Sequence, residues 1–308
     1  MGLGALGIGF WAQAFMPGGT TVNGPLLEAM LASPPPHSTP NGSARDDLRG
    51  VAAERRGGSP SSLALAEPER GQPINLEIRV ALARDASELQ LSATGPWWLR
   101  QRDGTVLRQG GAGERIPISS GAAPLPELWL ETTAGEAVLL NGAAYAGRLR
   151  VLQQAGGLLA VNHLPLETYV ASVVGAEMPS SWNLEALKAQ AVAARSYALA
   201  HMARPASQHW HLGNTTRWQA YRGLASSTER TRQAAADTTG LILSYQGGIV
   251  ESLYAATREI SLEAHGHLGA SMSQHGAQEL ASRGQRYNDI LGQYYRGASL
   301  ARLRQGGG

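Results

Sequence analysis

The chain has no cysteine, only two phenylalanines, and a single lysine, Lys188, among 308 residues. Without thiols it can form no disulfide, no thiolate nucleophile and no cysteine-ligated zinc site. With so little phenylalanine, its core must be built from aliphatics, seven tryptophans and nine tyrosines. Charged side chains are also sparse, at 16%, with a formal net charge of +2. No excess of either sign is present to drive binding to nucleic acid or to an anionic membrane surface. Long apolar runs are missing too. Gly2–Phe15 is the candidate, and its fourteen residues fall short of the roughly 20 that a membrane-spanning helix requires.

Composition divides the chain into four parts. Residues 1–33 form an apolar leader that reads as the hydrophobic part of a secretory signal or a short anchor, although no basic residues precede it. Residues 34–72, rich in Pro, Ser, Gly, Arg and Glu, carry too little apolar content for a core and read as a disordered tether. Residues 73–162 alternate in the manner of strands: Leu76, Ile78, Val80 and Leu82 first, then Glu88–Ala93, Leu128–Leu130 and Ala137–Leu140. Asp103-Gly104 is a hairpin signal, and Tyr145–Leu152 pairs naturally with Leu158–Asn162 across Gly156-Gly157. Of the adjacent Trp97 and Trp98, at most one can face a given surface. This part is expected to be a β-rich platform beneath a helical core at residues 163–304.

That core centres on Pro165–Met202. Leu166, Tyr169, Val170, Val173 and Val174 recur at the spacing of one buried helical face. Gly175 and Pro179 are expected to end this helix. A second helix starts at Ser181 or Asn183, and its face of Leu184, Leu187, Ala191, Ala194 and Ala198 allows close approach of other backbones. The fold class is thus α+β: two packed helices meet at an elbow and are flanked by antiparallel β-rich regions. The elbow holds a carboxylate, Glu177. Burial and the carbonyl end of the first helix raise its pKa, and the start of the second lowers it. Glu177 is therefore either an acid able to donate a proton near neutral pH or a cap for the next helix.

Four segments, in order, resemble the stage II sporulation protein D and amidase-enhancer family: Gly175–Pro179, then Ala186–Leu199 (ALKAQAVAARSYAL), then Gln219-Ala-Tyr221-Arg-Gly223, then His265–Ala277. The resemblance covers about Asn141–Tyr254 and His265–Leu303, more weakly Leu76–Leu130. It implies peptidoglycan glycan strands as substrate and lytic transglycosylase chemistry, with Glu177 as the acid/base. It also implies export to the periplasm or cell wall, with the leader available as a tether. Arg195 and Tyr197 on the central helix are candidates to steady the substrate or Glu177. Gln219 and Tyr221 can present an amide and a phenol to sugar hydroxyls or N-acetyl groups, or instead anchor a loop. His267, Ser273 and Gln274 come from the last signature and complete the candidate glycan contacts.

Two departures from the family pattern stand out. The cysteines that some members use to help hold a metal are replaced by Gly213 and Trp218, so neither metal nor cofactor is expected. The family's serine- and glycine-rich segment gives way to Tyr254–Arg258, and the stretch between 257 and 265 is short. A glycan-binding protein without catalysis, partnered by a cell-wall amidase, therefore stands as the alternative. Glu167, ten residues before Glu177, lies about 15 Å away along a helix, too far to act as a second catalytic acid.

Overall fold

The computed structural model describes residues 63–72, 74–121, 125–257 and 271–303. The apolar leader and most of the expected tether lie outside them. Sixteen strands are present among these residues. In chain order the first ten are β1 (Glu77–Ala86), β2 (Glu88–Ala93), β3 (Trp97–Gln101), β4 (Val106–Gly110), β5 (Ile116–Ser119), β6 (Leu128–Thr132), β7 (Val138–Leu140), β8 (Ala143–Tyr145), β9 (Arg148–Gln154) and β10 (Gly157–Pro165). The strand β11 (Leu212–Gly213) returns later in the chain to the edge of the same platform.

The main sheet runs β11-β1-β10-β9-β6-β3-β4, and a second runs β5-β2-β7-β8. Alternation explains which face is buried. Val80, Asn162, Leu149, Leu130 and Leu99 are successive cross-strand partners in one row, and all are buried. Leu89 and Leu91 of β2, with Val138 and Leu140 of β7, join that core from the second sheet. Trp97 is fully buried and donates its indole N–H to the Gly111 carbonyl at 2.9 Å, whereas Trp98 is only half-buried. The opposite face is mixed: Ala81, Leu159 and Val161 form a small apolar cluster with Leu152 and Trp210, and Arg150, Trp129 and Arg100 continue the row across β9, β6 and β3.

The chain leaves β10 directly into α1 (Leu166–Glu177), then turns into α2 (Leu184–Ala203). Asn183 caps α2, its side-chain oxygen accepting from the Glu185 N–H at 3.0 Å. Fourteen of the twenty α2 residues are buried, the mark of a helix covered on all sides. Its neighbours are α1, α3 (Glu229–Asp237), α4 (Gln274–Ser282), α5 (Tyr287–Tyr294) and the strand β12 (Leu241–Tyr245). β12 pairs with β13 (Gly248–Ile249) on one side and β16 (Ser299–Arg302) on the other. β14 (Leu253–Ala255) pairs in parallel with β15 (Ser271–Ser273).

α3 starts at Glu229 with Thr228 as its cap, Thr228 and Thr231 forming a reciprocal capping box. After β13 the chain leaves β12, and Leu253–Ala255 pairs with β15. The structure departs from the sequence expectations at two places. α1 continues through Gly175 to Glu177, because Gly175 serves close packing and not helix termination. The last residues of the expected tether are docked: the Leu65 N–H donates to the Asn288 carbonyl at 3.2 Å, and Asn288 Nδ2 donates to the Leu65 carbonyl at 3.1 Å. Leu65 packs against the core, which its otherwise polar neighbourhood in the sequence conceals.

Candidate functional site

Glu177 is the last residue of α1 and is half-buried. Its Oε1 accepts a 2.7 Å hydrogen bond from the backbone N–H of Ala220, in the loop that returns from β11. The Gln274 side chain, at the start of α4, also faces the carboxylate, and the Arg222 guanidinium acts on it at longer range. Burial is the largest influence and holds the carboxyl above its ordinary pKa against these three. Among the described residues Glu177 has no ion-pair partner. Gln274 is buried, and its Nε2 lacks a well-formed hydrogen bond. Ser273 is buried as the cap of α4, accepting from the Gly276 N–H at 3.0 Å.

Behind the carboxylate lies a closed polar network. Tyr169 of α1 donates to Gln219 Oε1 at 2.9 Å, and Gln219 Nε2 donates to the Tyr254 phenol at 2.8 Å and to the Ala194 carbonyl at 3.1 Å. Gln219 is fully buried, so its amide is committed to joining α1, α2 and β14. The loop-anchoring role is the one its surroundings describe. Tyr221 likewise turns inward, donating to Asn162 Oδ1 on β10 at 2.7 Å, and burial drives its phenol pKa upward. Tyr254 stands close enough to Glu177 for that charge to add to the burial that already raises its pKa.

Arg195 is not beside Glu177. It is fully buried and grips Glu167 through Nε at 2.9 Å and Nη2 at 2.6 Å, with further donations to the Leu241 and Ala235 carbonyls. This buried arginine ties α1, α2, α3 and β12 together. Tyr197 is buried, its ring 4.4 Å from that of His201. His267, and the shortened stretch before it, lie outside the described residues. The structure thus brings together Glu177 and Gln274, with Ser273 one residue away. Gln219 sits one layer behind, while Arg195 and Tyr221 point to internal partners. Arg222 and Tyr254 join the site without having been singled out in the sequence. Arg222 could have been found beside Tyr221, whereas Tyr254 stands where the family pattern breaks and carried no motif.

Two depressions open elsewhere, on the β platform, and neither includes Glu177. Among the described residues no cluster of histidine and carboxylate side chains is arranged to hold a metal ion. No helix among them is long and apolar enough to cross a membrane.

Comparison with known proteins places this geometry. Residues 154–245, from the end of β9 to the end of β12, match the family model described as Stage II sporulation protein. An uncharacterized protein of Brachyspira hyodysenteriae is 37% identical over 38% of this chain and 32% of its own length. The amidase enhancer of Bacillus subtilis is 35% identical over 32% of this chain and 13% of its own. Stage II sporulation protein D of Bacillus amyloliquefaciens is 32% identical over 32% of this chain and 33% of its own. The chain therefore spans a third or less of these relatives. That segment carries Glu177, Gln219 and both central helices, and it is similar to the stage II sporulation protein family model, to stage II sporulation protein D and to the amidase enhancer.

Proposed function

We propose that the protein cleaves the glycan strands of bacterial peptidoglycan as a lytic transglycosylase, with Glu177 as its single general acid/base. The observation that carries this reading is a half-buried carboxyl with a raised pKa and no ion-pair partner among the described residues. Protonated, Glu177 gives its proton to the glycosidic oxygen as the bond to C1 breaks. As carboxylate it then takes the proton of the muramic acid C6 hydroxyl, which attacks C1 and closes a 1,6-anhydro ring. The nucleophile belongs to the substrate, so its effective concentration is high and no second carboxylate is needed to activate water. The Ala220 N–H fixes Oε1, leaving Oε2 to exchange the proton. Gln274 and Arg222 are positioned to contact the sugar beside it, with Ser273 and His267 as further candidates on the same side of the sequence motif. The family supports a role at the cell wall, and with it export to the periplasm or wall, with glycan as the partner.

One observation favours a second reading, a non-catalytic glycan-binding protein that works with a cell-wall amidase. Two open depressions lie on the platform, away from Glu177, and one relative is named an amidase enhancer. Digestion of purified glycan strands separates the two. New 1,6-anhydromuramic ends, absent with Glu177→Gln, are expected for the enzyme. Glycan retention with no new ends from either protein would overturn catalysis and leave the binding role.

A further inference from the structure

The outward face of the main sheet carries a second feature. Arg150, Trp129 and Arg100 are successive cross-strand partners on β9, β6 and β3, so their side chains project from the same face. Arg148 and Glu131, two residues along their strands, share it. Together with Arg102 and Glu127 they line a depression of about 500 Å³, within the range of small-molecule sites. Four arginines and two glutamates line it, and Arg148 also pairs with Glu77 at 3.2 Å.

The side chains are held in place. Arg148 lies over the Trp129 ring at 4.6 Å and Arg150 at 5.6 Å. Such stacking fixes a guanidinium plane and leaves its N–H edges for ligands. Glu127 is already spent, accepting from Arg150 Nη2 at 2.6 Å and Trp129 Nε1 at 2.8 Å. Glu131 pairs with Arg100 and Arg148 at 3.2 and 3.6 Å. A donor nevertheless remains: Arg150 Nε is buried without a hydrogen-bond partner, whereas Arg100 Nε faces the Glu131 carboxylate at 3.2 Å. Arg102 is exposed at the rim and has no ion pair among the described residues. Buried donors of this kind are rare unless something satisfies them.

We infer that this cleft binds a carboxylate-bearing fragment of the cell wall, its carboxylate taken by the arginine edges beside Trp129. This rests on the wall-glycan reading above, which selects carboxylate over the phosphate that an arginine fork accepts equally well. Two parts of the wall supply that group, the free end of a peptide stem and the lactyl side chain of the peptide-free glycan. The cleft's size and its mixture of arginines with Glu131 suit a ligand that carries hydroxyl or amino groups beside its carboxylate.

The test uses the full chain and the Trp129 indole N–H resonance, assigned by its loss in Trp129→Phe. The probes are a short wall peptide ending in free D-alanine, the same peptide amidated at its end, and peptide-free glycan oligomers. The free-acid peptide or the glycan is expected to shift the resonance, and whichever does identifies the source. The amidated peptide should bind about tenfold more weakly than the free acid, the loss of one charge-assisted contact. Arg102→Ala, at an exposed position, should weaken the active probe by a similar factor, and added salt should weaken it further. No shift with any probe, equal binding of free-acid and amidated peptide, or unchanged affinity in Arg102→Ala would overturn the assignment. The resonance does not depend on turnover. Shifts that persist when glycan cleavage is absent support the cleft and sink only the catalytic reading; cleavage without shifts sinks only the cleft.

Discussion

Replacing Gly175 by alanine tests how α1 is seated, because two influences of opposite sign meet there. Helix propensity alone favours the change by about 1 kcal/mol, since Gly175 lies inside a helix. Packing opposes it. A Cβ at this position would stand 1.9 Å from the Ser226 carbonyl oxygen and 3.3 Å from Thr231 Cγ2. Carbon–oxygen contacts sit near 3.3–3.6 Å, so α1 and the turn at Gly223–Ser226 must part by roughly 1.4 Å. Two hydrogen bonds span that seam, Ser172 Oγ donating to the Gly223 carbonyl at 2.7 Å and Ser226 Oγ to the Ser172 carbonyl at 2.8 Å, with the two hydroxyl oxygens 3.0 Å apart. Losing them at about 1 kcal/mol each outweighs the propensity gain and leaves a net cost of about 1 kcal/mol. For a chain of this size that lowers the melting temperature by about 2 °C. Thermal unfolding followed by circular dichroism measures it directly. A melting temperature equal to or above the parent's would show that the seam yields freely, and would refute the packing account of this glycine.

Two further outcomes follow from charge. Burial lifts the Glu177 pKa, so the folded state holds its proton more tightly than the unfolded one. The parent therefore loses stability as pH rises from the ordinary glutamate value through the raised one, and then levels off. Glu177→Gln removes that dependence. Its melting temperature minus the parent's should grow over that window and be smallest in acid, and a difference that shrinks as pH rises would contradict the raised pKa. Arg195→Ala should cost about 3 kcal/mol, the lower part of the range for breaking a buried pair, because Glu167 is 30% exposed and recovers some hydration. Urea unfolding showing a loss below about 1 kcal/mol would mean that the pair is better solvated than its geometry indicates.

Much of the platform was legible because a period of two leaves little freedom. Ile78 and Val80 in β1, and the β9–β10 hairpin at Gly156-Gly157, follow directly from alternation and turn chemistry. The outward face of the same strands was not read, although Trp129, Arg148 and Arg150 sit in the complementary positions. Which polar residues become neighbours depends on strand order, and the pairing of β6 with β9 joins segments that no local pattern connects. The same limit explains the parallel pairing of β14 with β15. The docking of Leu65 on α5 was hidden for another reason: it rests on two backbone carbonyls and one apolar side chain inside a stretch whose average composition is that of a tether.

At the site, residue identity was legible and residue use was not. Arg195 and Gln219 look on paper like groups ready for a substrate, since each has several donors. Their burial converts those donors into obligations toward Glu167, Tyr169, Tyr254 and backbone carbonyls. The other carboxylates near α2 have taken cations in the same way: Glu167 holds Arg195, Glu185 holds Lys188, and Glu251 holds Arg204. Glu177 is treated differently. It receives a backbone N–H and a neutral amide, groups that orient a carboxylate without cancelling the cost of burying its charge. A cation at ion-pair distance would lower its pKa and hold it deprotonated. Leaving that cation out, while supplying one to each of its neighbours, is what lets burial hold this carboxyl above the ordinary glutamate pKa.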